Sequence, residues 1–311
     1  MNLFKQILQK QNVIILDGAL GTEIQKRGFD VNDSLWSAKF LSKNPAVIKE
    51  IHTDYLNAGA DIIISASYQA SFEGFMKKGF SKEESKKLIE LSISLAKDAR
   101  DEFWENLTDK TDKIKPLVAA SIGPYGAFLA DGSEYSGNYQ ISDEELFAFH
   151  QQRLETILHV KPDIIACETI PSFNEAKILS KLLEAYDIPS WISFSAKDEK
   201  HINSGESIEE CIEYLETQKH ICALGINCTA PKFISSLVQK IKKLSSKPIV
   251  IYPNGGSKYN PITKIWEKSV DNSDFAKMAL LWKNAGASII GGCCETGPKE
   301  IQELHQIFFK T

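Results

Sequence analysis

The sequence predicts a single-domain α/β fold, a parallel (β/α)8 (TIM) barrel with an extra N-terminal helix, on three observations. Eight short runs rich in Ile and Val recur along the chain, at 13–16, 62–65, 117–122, 164–167, 191–195, 223–227, 249–252 and 288–291. Each is almost continuously apolar, as a strand covered on both faces must be, and each is followed by a longer amphipathic segment. No G-x-G-x-x-G phosphate loop follows the first run, so the rival open, doubly wound sheet lacks its usual mark. Strand then helix, eight times over, closes most economically as a barrel.

The helices carry their own start and stop signals. Asn44-Pro45 supplies a cap and a first-turn proline before AVIKEIHTDYL. Ser81 with Glu84, and Ser142 with Glu145, read as capping boxes. Gly59 and Gly286 stand where a left-handed residue would end a helix. Further helices are expected over 174–186, 207–217, 232–243, 273–284 and 298–308, and about ten N-terminal residues read as a helix under the barrel floor. No Pro/Gly/Ser linker divides residues 1–311, so one domain is expected.

Composition narrows the class of function. With 311 residues and 43% hydrophobic content, the chain can bury a large core without disulfides or metal staples. No run approaches the ~20 apolar residues of a membrane span. The opening MNLFKQILQKQN is interrupted by Lys5, Gln6, Gln9 and Lys10, unlike a secretory signal. A net charge of −5 without a dense Lys/Arg block argues against nucleic acid as a partner. Six cysteines in such a chain point to thiols or metal ligands in a reducing, cytoplasmic compartment. Small molecules are the expected partners, and the sequence leaves oligomeric state open.

In a barrel of this kind the chemistry gathers where strands end. Those endings hold Asp17 to Thr22 after the first run, Ser65 to Gln69 after the second, and Ser121 to Gly126 after the third. Cys167-Glu168-Thr169 follow the fourth, Cys228 and Thr229 the sixth, Tyr252 to Gly256 the seventh, and Gly291-Gly292-Cys293-Cys294 the eighth. Cys228, Cys293 and Cys294 can therefore converge over the mouth, since the sixth and eighth strands are two apart around the rim. Three ligands with an open fourth position describe a catalytic zinc site rather than a closed structural one. Adjacent side chains on a regular strand face opposite ways, so the chain must leave the strand there, a freedom Gly291-Gly292 would supply. The competing readings are three buried core thiols or a vicinal disulfide. Cys211, in a helix, and Cys222, at a strand start, read as structural, and Cys167 as facing the helix layer.

Histidine is instructive by its placement. His52, His150, His159 and His305 fall on helices, and His201 and His220 in loops. Histidine, a usual donor of a zinc hydrolase, is missing from the strand ends, and an all-thiolate site suits holding a sulfur substrate as thiolate. Asp17 and Glu168 at one mouth could share an ammonium group, and the amides of residues 18–22 could hold a carboxylate. Together these describe an α-amino-acid site beside a thiolate-rich metal. Tyr68, Phe72, Tyr125, Phe128 and Tyr252 are aromatic candidates for steering a cation.

The motifs DGALGT at 17–22, GPYGAFLADGSEYSGNY at 123–139, CET at 167–169, INCTAP at 226–231, YPNGG at 252–256 and GGCCETGP at 291–298 resemble the homocysteine S-methyltransferase family over essentially the whole length. The stretch 123–139 is most similar to small stand-alone members that use S-methylmethionine. The resemblance implies zinc held by Cys228, Cys293 and Cys294, an amino group on Asp17 and Glu168, and a carboxylate at the turn containing Gly18, Ala19 and Thr22. It also implies Asn254 as a ligand that homocysteine displaces. The implied reaction is methyl transfer from a sulfonium donor, S-methylmethionine foremost or S-adenosylmethionine, to L-homocysteine, giving methionine. Betaine or selenocysteine chemistry within the family, a non-catalytic zinc or amino-acid binder, and a Cys293-Cys294 redox protein stand as alternatives. Two positions depart from the family pattern: Glu295 after the cysteine pair, and Gly255-Gly256-Ser257 after Asn254.

Overall fold

The structure, a computed structural model, describes residues 2–111, 113–256, 258–260, 265–267 and 275–309. Its strands are β1 (Ile14–Ile15), β2 (Ile62–Ile64), β3 (Leu117–Ile122), β4 (Ile164–Ile170), β5 (Ser190–Phe194), β6 (Ile221–Asn227), β7 (Ile249–Tyr252), β8 (Lys258–Asn260), β9 (Ile265–Glu267) and β10 (Ile289–Ile290). Eight of them form one parallel sheet in the order β1-β10-β7-β6-β5-β4-β3-β2. A parallel bridge between Leu16 and Ile62 joins its two ends into a barrel. Each of these eight overlaps one predicted run, but β4 runs on to Ile170 and so carries Glu168 inside the strand, and β5 and β6 begin earlier than expected, at Ser190 and Ile221. The antiparallel pair β8/β9, between β7 and β10, has no counterpart among the predicted runs.

Alternation of side chains sorts the apolar residues into two cores. Ile14, Leu16, Ile62, Ala166, Trp191, Val250 and Ile289 fill the barrel, while Val13, Ile15, Ile63, Ile165, Cys167 and Ile290 face the helices. Cys167 is thus in the helix layer, as its position beside Glu168 predicts. The N-terminal helix Leu3–Leu8 closes the floor: Phe4 and Ile7 join the interior core, Phe4 stacks 6.0 Å from Trp191, and the Asn2 amide donates to the Cys222 carbonyl at 2.6 Å.

Capping chemistry behaves as its residues predict, with one exception. Both capping boxes form, at Ser81/Glu84 and Ser142/Glu145. Gly59 (φ +103°) and Gly286 (φ +128°) end their helices in the left-handed region. Asn44 does not cap: with φ −157° and ψ 74°, its side chain makes no capping bond, and Pro45 alone marks the start of Pro45–Ala58. Residues 273 and 274 of the helix expected over 273–284 lie outside the described residues, as does Ser257; the helix itself is seen as Phe275–Ala285.

Candidate active site

The strand ends and the loops beyond them enclose a cavity of about 210 Å3. Cys228, Cys293 and Cys294 stand in its wall with their Sγ atoms all within 4.8 Å of one another. Cys228 leaves β6 in a left-handed conformation (φ +47°), a strain of roughly 1–3 kcal/mol for a residue with a side chain. Its amide donates to the Tyr252 carbonyl at 3.1 Å, and the Cys293 amide donates to the Pro253 carbonyl at 2.7 Å, so both are pinned to the end of β7.

The turn that presents the adjacent cysteines works differently from the expectation. Neither Gly291 nor Gly292 has a positive φ; the left-handed residue is Glu295 (φ +69°). The two glycines are needed for space instead. A Cβ on Gly292 would lie 2.1 Å from Thr296 Oγ1, and one on Gly291 would lie 2.5 Å from Leu16 Cβ. Thr296 Oγ1 donates to the Cys293 carbonyl at 2.6 Å, and the Glu295 amide donates to Thr22 Oγ1 at 3.0 Å, tying this turn to the one after β1. Glu295 packs toward Gly255, not among the cavity-lining residues.

The three thiols share hydrogen bonds, which hold Cys228 well below the ordinary thiol range and push Cys293 and Cys294 above it. Three thiolates in one buried cluster need a cation to coexist. Beside them the Asn254 side chain bonds to Cys228, yet its buried Oδ1 has no hydrogen-bond partner. Three soft donors and an orphaned oxygen fit a tetrahedral metal ion.

Asp17 and Glu168 also line the cavity and are nearly fully buried. Asp17 Oδ2 accepts from the Ile64 amide at 2.8 Å, and Glu168 accepts from the Ser121 hydroxyl. Burial pushes Glu168 up to about 7, and burial with the nearby Glu168 charge raises Asp17 well above its usual range. Two carboxyls so placed are favourable to a bound cation. Gly18, Ala19 and Thr22 line the cavity as predicted, but the Ala19 amide is already taken by the Thr296 carbonyl at 3.1 Å.

Asn227, beneath the cysteine, sets the rim. Its Oδ1 accepts from the Thr169 amide at 2.7 Å and from Ser193 Oγ at 2.9 Å, while its Nδ2 donates to Thr169 Oγ1 at 2.7 Å. Those bonds hold Thr169 at φ +58°, next to Glu168. Of the aromatic candidates, Tyr68 and Tyr252 line the cavity. Phe72, Tyr125 and Phe128 do not: Phe72 is core, and Tyr125 and Phe128 stack with Phe149 outside it. Sequence reasoning missed Trp36, Glu134 and Tyr135, which also line it; the Tyr135 hydroxyl lies 3.9 Å from Cys228 Sγ. For Glu134 and Tyr135 the signal was present in the family-like stretch 123–139, whose individual residues carry no periodicity of their own; for Trp36 there was none.

A thiol cluster beside paired carboxylates at a barrel mouth defines an enzyme that handles a sulfur-bearing amino acid. The sequence profile of the family described as homocysteine S-methyltransferase matches residues 14–308, and the chain belongs to that family. It is 49% identical over 305 residues to homocysteine S-methyltransferase YbgG of Bacillus subtilis (strain 168), covering 98% of this chain and 97% of that protein. It is 48% identical over 303 residues to a selenocysteine Se-methyltransferase of Brassica oleracea var. italica, covering 94% and 88%. The metallated form of the Escherichia coli homocysteine methyltransferase MmuM superposes with a TM-score of 0.86 at 41% identity, covering 97% of this chain and 98% of that one.

Proposed function

We propose that this chain, one homocysteine-binding barrel domain over residues 1–311, moves a methyl group from a sulfonium donor, S-methylmethionine foremost, to the thiol of L-homocysteine. The observation that carries the reading is the thiol cluster beside two cation-seeking carboxyls in one cavity. Cys228, Cys293 and Cys294 would hold zinc, with Asn254 beside them as a displaceable oxygen donor. Zinc there would keep an incoming thiol deprotonated at neutral pH. Because the ligands must stay reduced, we place the enzyme in the cytoplasm.

Asp17 and Glu168 bind the homocysteine ammonium, and the turn containing Gly18, Ala19 and Thr22 receives its carboxylate. Held at both ends, the acceptor sulfur faces the donor methyl. The new S–C bond forms as the sulfonium S–C bond breaks, and its electron pair leaves on the donor sulfur. Opposite charges cancel as this happens, so a cavity that excludes water favours the step.

A direct test supplies methyl-labelled S-methylmethionine, S-adenosylmethionine or betaine with homocysteine or selenocysteine, and follows labelled product by mass spectrometry. Label from S-methylmethionine supports the reading; label from betaine alone, or from none, rejects it. The carboxyls give a second test. Methionine has the same amino-acid end and no thiol, so its affinity reports the ammonium site. Since the ionised fraction of Glu168 rises through pH 7, methionine should bind about tenfold tighter at pH 8 than at pH 6. Glu168→Gln should flatten most of that slope; a slope unchanged in the variant would remove Glu168 from ammonium binding.

A further inference from the structure

Glu134 is left without a task by the reaction as described. It lines the cavity on the segment after β3, next to Tyr135, whose hydroxyl reaches toward Cys228 Sγ. Its carboxylate interacts with the backbone amides of Glu134 itself and Gly132, while Oε2 is buried with no hydrogen-bond partner. An unpaired buried carboxylate oxygen is costly unless a ligand completes it. The chain is shaped to bring this group in: a Cβ on Gly126 would lie 2.4 Å from the Glu134 amide nitrogen.

The other carboxylates of the wall are engaged. Asp33 pairs with Lys78 at 2.9 Å and accepts from the Leu35 amide. Asp17 and Glu168 form the acceptor's ammonium site. No Lys, Arg or His appears among the described residues that line the cavity. A further negative group in so anionic a chamber is useful only toward a second cation. A carboxylate oxygen lacking a donor is completed by an N–H, which a sulfonium centre does not have but the ammonium of an amino-acid sulfonium does.

We propose that Glu134 is the specificity-determining residue for the methyl donor, its carboxylate turning to bind the α-ammonium of an amino-acid sulfonium. The inference rests on the sulfonium-donor reading above. Such a site selects S-methylmethionine over sulfonium compounds that lack an amino group.

The test measures dissociation constants by calorimetry for wild type, Glu134→Gln and Glu134→Asp, on metal-loaded protein. S-methylmethionine should bind about 10- to 100-fold more weakly to Glu134→Gln, the loss expected for one charge-assisted hydrogen bond, with part of it recovered in Glu134→Asp. Homocysteine should be unaffected, and so should dimethylsulfoniopropionate, a sulfonium with a carboxylate and no ammonium. Thermal melting of Glu134→Gln should not fall, because the variant removes a buried unpaired charge. Unchanged S-methylmethionine binding, or equal weakening of homocysteine, overturns the proposal. A parallel loss for dimethylsulfoniopropionate assigns Glu134 to the sulfonium and overturns the ammonium role. If wild type binds S-adenosylmethionine and not S-methylmethionine, the donor named above fails; the same comparison with S-adenosylmethionine, which also carries the ammonium, then decides Glu134. Wild-type protein that binds neither sulfonium overturns both readings.

Discussion

Cys294→Ala is expected to strip the bound metal and lower methyl transfer by about 10³-fold or more, a larger loss than the ~10–100-fold typical of removing an outer-shell partner. The cluster offers three sulfurs within 4.8 Å, and two do not hold a divalent ion against competing chelators as three do. The variant should nonetheless fold, since Cys294 contributes little apolar area and its carbonyl bond to the Gly255 amide (2.8 Å) is a main-chain contact. Metal analysis of purified protein, with and without chelator, checks this alongside labelled-methyl transfer. Full activity in metal-depleted Cys294→Ala would remove the metal from the reaction.

Gly225→Ala is expected to keep the chain from accumulating as folded protein. In β6, Gly225 sits opposite Val250 of β7, and a Cβ there would lie 1.7 Å from the Val250 carbonyl oxygen. No side-chain rotation relieves a clash with main chain, so the two strands must part at the interior of the barrel. The cost should exceed the ~4–5 kcal/mol that marks severe substitutions, against a typical total of ~5–15 kcal/mol. Because Asn227 and Cys228 follow two and three residues later, any molecules that fold should also lose metal. Soluble yield and urea unfolding measure the effect, and a wild-type midpoint would show that β6 and β7 separate at little cost.

Much of this was legible because barrel strands obey a strong rule. Covered on both faces, they read as unbroken apolar runs, so the three cysteines just beyond β6 and β10 could be read from position alone, while Glu168 lies two residues inside the end of β4. Capping boxes were legible for a similar reason: Ser81 and Glu84 satisfy each other locally. What escaped depends on distant partners. Glu134 and Tyr135 enter the cavity because the segment after β3 is tied down by Glu175, which accepts from the Tyr125 amide at 2.7 Å and the Tyr139 hydroxyl at 3.0 Å. His150 and Arg153 complete that buried network, with His150 Nε2 2.8 Å from Glu175 and Arg153 donating to the Gly123 carbonyl at 2.6 Å. Spacing along the chain gives no hint of it. Asn44 failed as a cap because the chain before Pro45 comes directly from another short helix, Phe40–Lys43, and leaves it in an unsuitable conformation.

The helix at the amino terminus has a consequence for how the molecule is made. Phe4 rests on Trp191, and Asn2 reaches the carbonyl of Cys222, partners synthesised some two hundred residues later. β1 pairs with β10, whose residues 289 and 290 emerge later still. During synthesis, therefore, this helix has nowhere to dock until β5 and β6 have emerged. Its apolar face must wait in solution or in the care of a chaperone, and closure of the barrel joins its first strand to its last.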